Sequence, residues 1–329
     1  MEVSYKILRR SIHSFLQNYH FFTSTAAFLA FPFSAAILLS QALVPTSSSI
    51  LPQIHSHLRT LFDAAGFPSS SQLFTILNLK VSQTITSSIF TLPFTLTFLL
   101  IAKSSIIQAL NNHHKPTLPP SFTSIIFHYK PLLHTYVYNC FLILSANASS
   151  FCLLFLAFSF AEGLGYSSQS CTLLMSIAAA VLFSVILANA LVICNMALTL
   201  SGMEGRGGYM AILKACVLLR GKASMALFLA LPVNAGLAAI EALFQFRVVR
   251  AFHIGGNSSS WPLMALEGIF IAYLYSVFIT IDTIVSCMFY KSCKMGLRVD
   301  QRERHFLRIE FPEEDNCGYL ALKNFEELP

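Results

Sequence analysis

The sequence predicts an all-α fold: a polytopic transmembrane bundle of six spans with short interfacial amphipathic helices. Three observations carry this. Six apolar runs, near Phe21–Val44, Val81–Ala102, Tyr136–Ala161, Thr172–Leu200, Ala223–Phe244 and Trp261–Phe289, interrupt the chain. Each reaches the roughly 20 helical residues that cross a hydrocarbon layer about 30 Å thick. Hydrophobic residues make up 55% of the 329 residues and charged residues 11%, against about 25% charged in water-soluble domains. Of the 21 lysines and arginines, only Arg59, Lys80, Arg247 and Arg250 fall on one side of the alternating connections, and the other 17 gather on the opposite side. Basic loops are retained in the cytosol, so this asymmetry predicts an even number of spans with both termini cytoplasmic. The division that follows is a cytoplasmic amphipathic helix over 1–20, a six-span domain over 21–289 and a cytoplasmic polar tail over 290–329.

In the N-terminal arm, Tyr5, Leu8, Ile12, Phe15 and Leu16 recur at helical spacing with Lys6, Arg9 and Arg10 between them. That pattern suits a helix lying on the anionic leaflet. The first apolar run is too long for a signal-peptide core and has no sharp cleavage site after it, so it is read as a retained anchor. Pro32, Pro93 and Pro232 fall inside spans one, two and five, where each removes a backbone hydrogen bond and bends the helix. Between spans one and two, Ile54, Leu58, Leu61 and Phe62 define one face of a surface-lying helix over Ile50–Ala65. The short Glu162–Ser170 linker makes spans three and four an antiparallel hairpin, and Ala178–Ala180, Ala188 and Ala190 offer small faces for close approach. Met203–Gly208 reads as a flexible joint, followed by a helix over Tyr209–Leu219 and the surface turn Arg220-Gly221-Lys222.

No stretch carries a catalytic signature, so the chain is read as a non-enzyme without cofactor or metal. The eight cysteines have no CxxC spacing and are read as reduced, packed thiols. The pairs His55/His57 and His113–His114 lack further ligands at metal-binding spacing. The net charge of +6 is spread over loops and does not point to nucleic acid. Membrane lipids, with membrane-protein partners, are the expected contacts, in the endomembrane system or the plasma membrane. The sequon Asn257-Ser258-Ser259 lies close to span six, and Tyr319–Leu322 matches a short sorting pattern.

Charges inside a bilayer cost about 2.5–3.5 kcal/mol each on insertion scales. Span six holds Glu267 and Asp282, which at about 100° per residue lie about 60° apart on one face. Asn147, Asn189, Asn195 and Asn234 are candidate partners, and no buried lysine or arginine is expected opposite. These residues form either a polar path for a proton, ion or small solute, or a set of interhelical clasps with Glu267 reaching outward. At the basic end, Arg206, Lys214, Arg220 and Lys222 are candidate contacts for anionic headgroups, or serve only to fix topology.

The spacing Glu204-x3-Gly208-x2-Ala211-x2-Lys214-x5-Arg220-Gly221-Lys222, with Phe289-Tyr290-Lys291-Ser292 at the exit of span six, resembles that of a plant group of six-pass membrane proteins without assigned activity. It is also similar to the integral-membrane domain found beside some bacterial glycerophosphodiester phosphodiesterases. The resemblance implies the six-span fold and a membrane location. It does not imply hydrolysis, because the phosphodiesterase catalytic domain has no counterpart in the chain. The function expected is membrane organisation, lipid or protein interaction, or trafficking. The alternative is a small-solute or proton-coupled transporter using the Glu267/Asp282 face.

Overall fold

A computed structural model describes residues 2–43, 50–64, 72–111, 122–163, 169–251 and 261–309. The His113–His114 pair, most of the Glu162–Ser170 linker, the Asn257 sequon and Tyr319–Leu322 lie outside the described residues. The chain divides into two units, Met1–Tyr290 and Lys291–Pro329. In the second, helix continues from the boundary to Ile309.

Every element described is helical. Helix α1 (Glu2–Gln17) leads into span one, which is built from α2 (Tyr19–Thr25), a π-helical turn (Ala26–Ala30) and α3 (Phe31–Leu43). Helix α4 (Ile50–Ala64) follows. Span two consists of α5 (Gln72–Phe94), a second π-helical turn (Thr95–Leu99) and α6 (Leu100–Asn111). Helices α7 (Phe122–Gly163) and α8 (Gln169–Glu204) carry spans three and four, and the short α9 (Tyr209–Leu219) follows. Span five is α10 (Ala223–Phe244) extended by a π-helical turn (Gln245–Val249), and span six lies in α11 (Trp261–Ile309). The stretches Tyr19–Leu43, Asn78–Asn111, His128–Ala157, Ile177–Glu204, Ala223–Val249 and Pro262–Met295 are long and apolar enough to cross a membrane. The fold is an all-α, multi-pass membrane bundle.

Several helices outrun their apolar runs. The 42 residues of α7 extend about 63 Å at 1.5 Å per residue, twice a hydrocarbon layer. Span two continues past Ala102 to Asn111, which draws Lys103 into the helix. Two prolines sit beside π-helical turns: Pro32 follows Ala26–Ala30, and Pro93 precedes Thr95–Leu99, whereas Pro131 lies inside α7 with none beside it. A wider turn next to a missing N–H is a recurrent way for a helix to change direction. Pro232 lies inside α10 without one.

Span six is the axis of the bundle. Half of its apolar window is buried, against 6% for span three. Among the described residues it contributes to three core clusters: Tyr275 and Ile279 group with Phe33, Leu38 and Phe244, Ile284 with Phe22 and Ile106, and Cys287 with Leu100, Leu132 and Leu198. Helix α1 turns Ser4, Ile7, Ser11 and Phe15 inward, where Ser11 donates to the Ile7 carbonyl at 2.9 Å. Tyr5, Ile12 and Leu16 remain outside. The expected apolar face therefore splits, because Phe15 packs on Phe22 while its predicted companions point away.

Spans three and four pair antiparallel, as Asn139 Nδ2 to the Cys194 carbonyl (3.0 Å) and Phe151 against Phe183 (5.9 Å) show. Ala190 is buried in this region, but Ala178 and Ala180 are exposed, so the alanine triplet does not carry the close approach.

The Met203–Gly208 joint is held, not flexible. Gly208 adopts φ +87°, which favours glycine, and its N–H donates to Thr135 Oγ1 at 2.9 Å. That hydroxyl also lies 2.8 Å from the Pro131 carbonyl and 2.9 Å from Ser201 Oγ. A Cβ at Gly207 would collide with the Pro131 backbone. Glu204 clamps the joint from the other side: Oε2 meets Lys214 Nζ at 2.6 Å and Oε1 accepts from the Tyr290 hydroxyl at 2.8 Å.

Candidate functional site

Spans four, five and six enclose a groove of about 470 Å³, within the roughly 300–1,000 Å³ of small-molecule sites. Its walls are mainly Leu and Ala side chains, from Leu187, Ala188 and Leu191 on α8 and from Ala226, Leu229 and Ala230 on α10. Leu191, Leu227 and Leu231 line it and are also exposed on the bundle surface, so the groove opens sideways. Into this apolar slot project Asn195 from α8, Asn234 from α10, and Asp282 and Ser286 from α11.

The local sequence explains the opening. On α10, Ala226 and Ala230 are too small to reach span four, and on α8 Ala188 leaves the facing space unfilled. Towards the far end the seam closes: the Phe278 ring sits on Gly236 so tightly that a Cβ there would collide with it. Beyond Phe278, Tyr275 donates to Glu241 Oε1 at 2.9 Å, and Arg247 Nε meets Glu267 Oε1 at 2.6 Å.

The polar residues singled out in the sequence thus separate. Asn195, Asn234 and Asp282 share the groove. Glu267 lies outside it in an ion pair with Arg247. Asn189 is exposed and donates to the Val185 carbonyl of its own helix at 2.9 Å. Asn147, half-buried on α7, does not line the groove. Among the basic candidates, Lys214 is engaged by Glu204, whereas Arg206 and Arg220 are exposed and Lys222 is half-buried at the start of α10.

Glu267 pairs with an exposed cation, Arg247, rather than with a buried one. Arg247 reaches Glu267 because α10 continues through the Gln245–Val249 turn. No described residue donates a hydrogen bond to the Asp282 carboxylate or closes an ion pair with it. Asn234 spends its Nδ2 on the Ala230 carbonyl at 3.0 Å, leaving its amide oxygen as an acceptor. Ser184 likewise donates to its own helix, at the Ala180 carbonyl. Asn234 keeps a second Nδ2 hydrogen, and Asn195 and Ser286 carry further donors, so the polar wall offers donors as well as acceptors.

Sequence reasoning missed Glu241, and it missed that Lys103 falls inside the helix of span two. Glu241 was readable directly, as a carboxylate within the fifth apolar run. Lys103 was hidden by a single position, since the second run stops at Ala102. Among the described residues there is no group of three His, Cys, Asp or Glu side chains able to hold a metal ion.

Residues 3–300 match a protein family described as a domain of unknown function, DUF8558. No curated protein and no solved structure matches the chain.

Proposed function

As the chain belongs to the DUF8558 family, which carries no assigned activity, we propose from its own geometry that it is a non-catalytic membrane protein that holds an amphiphile in the plane of the bilayer. One observation carries the reading: a laterally open, Leu/Ala-walled groove has a free carboxylate and two amides at its polar wall. A lipid tail satisfies the apolar walls, and a headgroup reaches the polar residues without leaving the membrane. Burying Asp282 in such a place has a cost that a ligand repays.

The basic end extends this reading. With both termini cytoplasmic, α1 and α9 lie at the cytoplasmic leaflet, and exposed Tyr209, Met210, Leu213 and Val217 give α9 an apolar outer face. Arg206, Arg220 and Lys222 then face anionic headgroups, each contributing about 1 kcal/mol. Solute transport along span six has less support, since Phe278 on Gly236 separates Asp282 from Glu267.

Native mass spectrometry of the protein extracted in mild detergent tests the proposal. Wild type is expected to retain a lipid-sized mass, and Ala230→Trp, which fills the groove from a lining position, is expected to lose it. Equal retention by both proteins would refute the groove as the binding site.

A further inference from the structure

We infer that the outer face of span four is the contact surface for a second copy of this chain, with Asn189 of one copy hydrogen-bonded to Asn189 of the other. The inference is independent of the groove. Asn189 does not line it and follows its wall residue Ala188 by about 100° around α8.

Asn189 sits where an amide is costly. It lies 12 residues after Ile177 and 15 before Glu204, the ends of the apolar stretch, or about 18 Å and about 22 Å along the helix. Hydrocarbon therefore extends past it in both directions. The side chain is exposed on the bundle surface, and among the described residues its one hydrogen bond runs from Nδ2 to the Val185 carbonyl of its own helix at 2.9 Å. That leaves one Nδ2 hydrogen and the amide oxygen facing lipid tails, which neither accept nor donate. Exposed Ser145 and Ser149 on α7 differ, because each spends its only proton on its own helix. Asn139 is buried against the Cys194 carbonyl, and Asn195 and Asn234 share the groove.

The unused groups identify the partner. A carboxamide offers a donor and an acceptor together, so its complement is another carboxamide. Copies oriented by the same basic connections insert the same way up. A twofold axis along the membrane normal then brings residue 189 of each copy to one depth, where each satisfies the other. The surrounding surface fits such a pair. Ala178, Leu182, Val185 and Asn189 follow one another at i, i+4, i+7 and i+11, and all four are exposed. That spacing is the seam of a left-handed helix pair crossing at about 20°. Ala178 and Val185 are short side chains on the seam, which lets the two backbones come close enough for the amides to meet. Ala178, unused in the hairpin with span three, acquires a role here.

The test is energy transfer between donor- and acceptor-labelled copies of the full chain, labelled on a C-terminal tag, in phosphatidylcholine vesicles over a range of protein-to-lipid ratios. Wild type should transfer energy above the level set by random crowding, with a dependence on dilution that fits a dimer. Asn189→Leu should weaken association about tenfold, the loss of an interhelical hydrogen-bonded pair, without lowering the thermal midpoint. Asn189→Gln keeps the carboxamide and should stay within about threefold of wild type. Val185→Trp should block the seam, and Leu144→Trp, on the exposed face of α7, should leave association unchanged.

Wild type that stays monomeric at every ratio overturns the inference and leaves the face to lipid or to a different protein. Association that survives Asn189→Leu or Val185→Trp overturns it as well, as does Asn189→Gln behaving like Asn189→Leu. Equal loss in Leu144→Trp and Val185→Trp would place the contact elsewhere and overturn it too.

Discussion

At position 236 a hydrogen is the only side chain that the Phe278 ring admits. Gly236→Ala must push the ring or part the helices, at about 1–3 kcal/mol for an overpacked core. We expect it to lower the thermal midpoint of the purified protein, and Gly236→Ala combined with Phe278→Leu to recover most of the loss. An unchanged midpoint in the single variant would show that the contact is slack. Glu241 and Lys103 show how far single residues are legible. A carboxylate amid an apolar run stands out by identity alone, and its partner Tyr275 could be sought one span away. Lys103 follows the last apolar residue of its run, so its place inside α6 depends on how far a helix extends. That extent is fixed by packing of α6 on spans one, three and six, which no local pattern encodes.

The α8–α9 joint behaves as an element in its own right. Thr135 on α7 satisfies the Gly208 N–H at a point where the chain leaves the helical ladder. Thr135→Val is close in shape but leaves that buried N–H without an acceptor, a cost of about 1–3 kcal/mol. Denaturation in graded SDS should show that loss, and Thr135→Ser should preserve stability to within about 1 kcal/mol. If Thr135→Val unfolds like wild type, water replaces the hydroxyl and the joint is not held as described. The surface turn after α9 has a separate role: Arg220→Ala with Lys222→Ala should reduce the anionic phospholipid that copurifies with the protein. Unchanged lipid composition would remove those residues from headgroup contact.

Among elements, helices and the antiparallel hairpin follow from periodicity and run length, because a bilayer imposes both. The inward face of α1 does not. Ser4 and Ser11 are buried there through packing on neighbouring helices, against their polarity. The joint looked flexible because its glycines were read without their partners. Pro131, Thr135 and Tyr290, which immobilise it, lie on spans three and six. The glutamate and lysine of the Glu204–Lys214 spacing form an ion pair with each other, which gives that spacing a structural reason.

Over the whole molecule, the distribution of basic residues predicts sidedness. Single-cysteine variants Lys6→Cys and Arg298→Cys, in a background cleared of other accessible thiols, should react with a membrane-impermeant maleimide only after intact cells are permeabilised. Arg59→Cys on α4 should react only from the membrane face opposite to that of positions 6 and 298. Positions 6 and 298 reacting from opposite sides would contradict an even number of spans between them. The six-span architecture is legible because hydropathy is a whole-chain property. The groove is not legible at that level. It arises where alanines on α8 and α10 face one another, and Asn195, Asn234 and Asp282 meet there only once three separate spans assemble.

The most direct measurement is an experimental structure of the full chain in a lipid nanodisc, at a resolution that separates lipid tails from side chains. The amphiphile-holding account predicts elongated density between spans four, five and six, with its polar end within hydrogen-bond distance of Asp282. A groove closed by contact of α8 with α10, with Asp282 paired directly to Lys103, would contradict it.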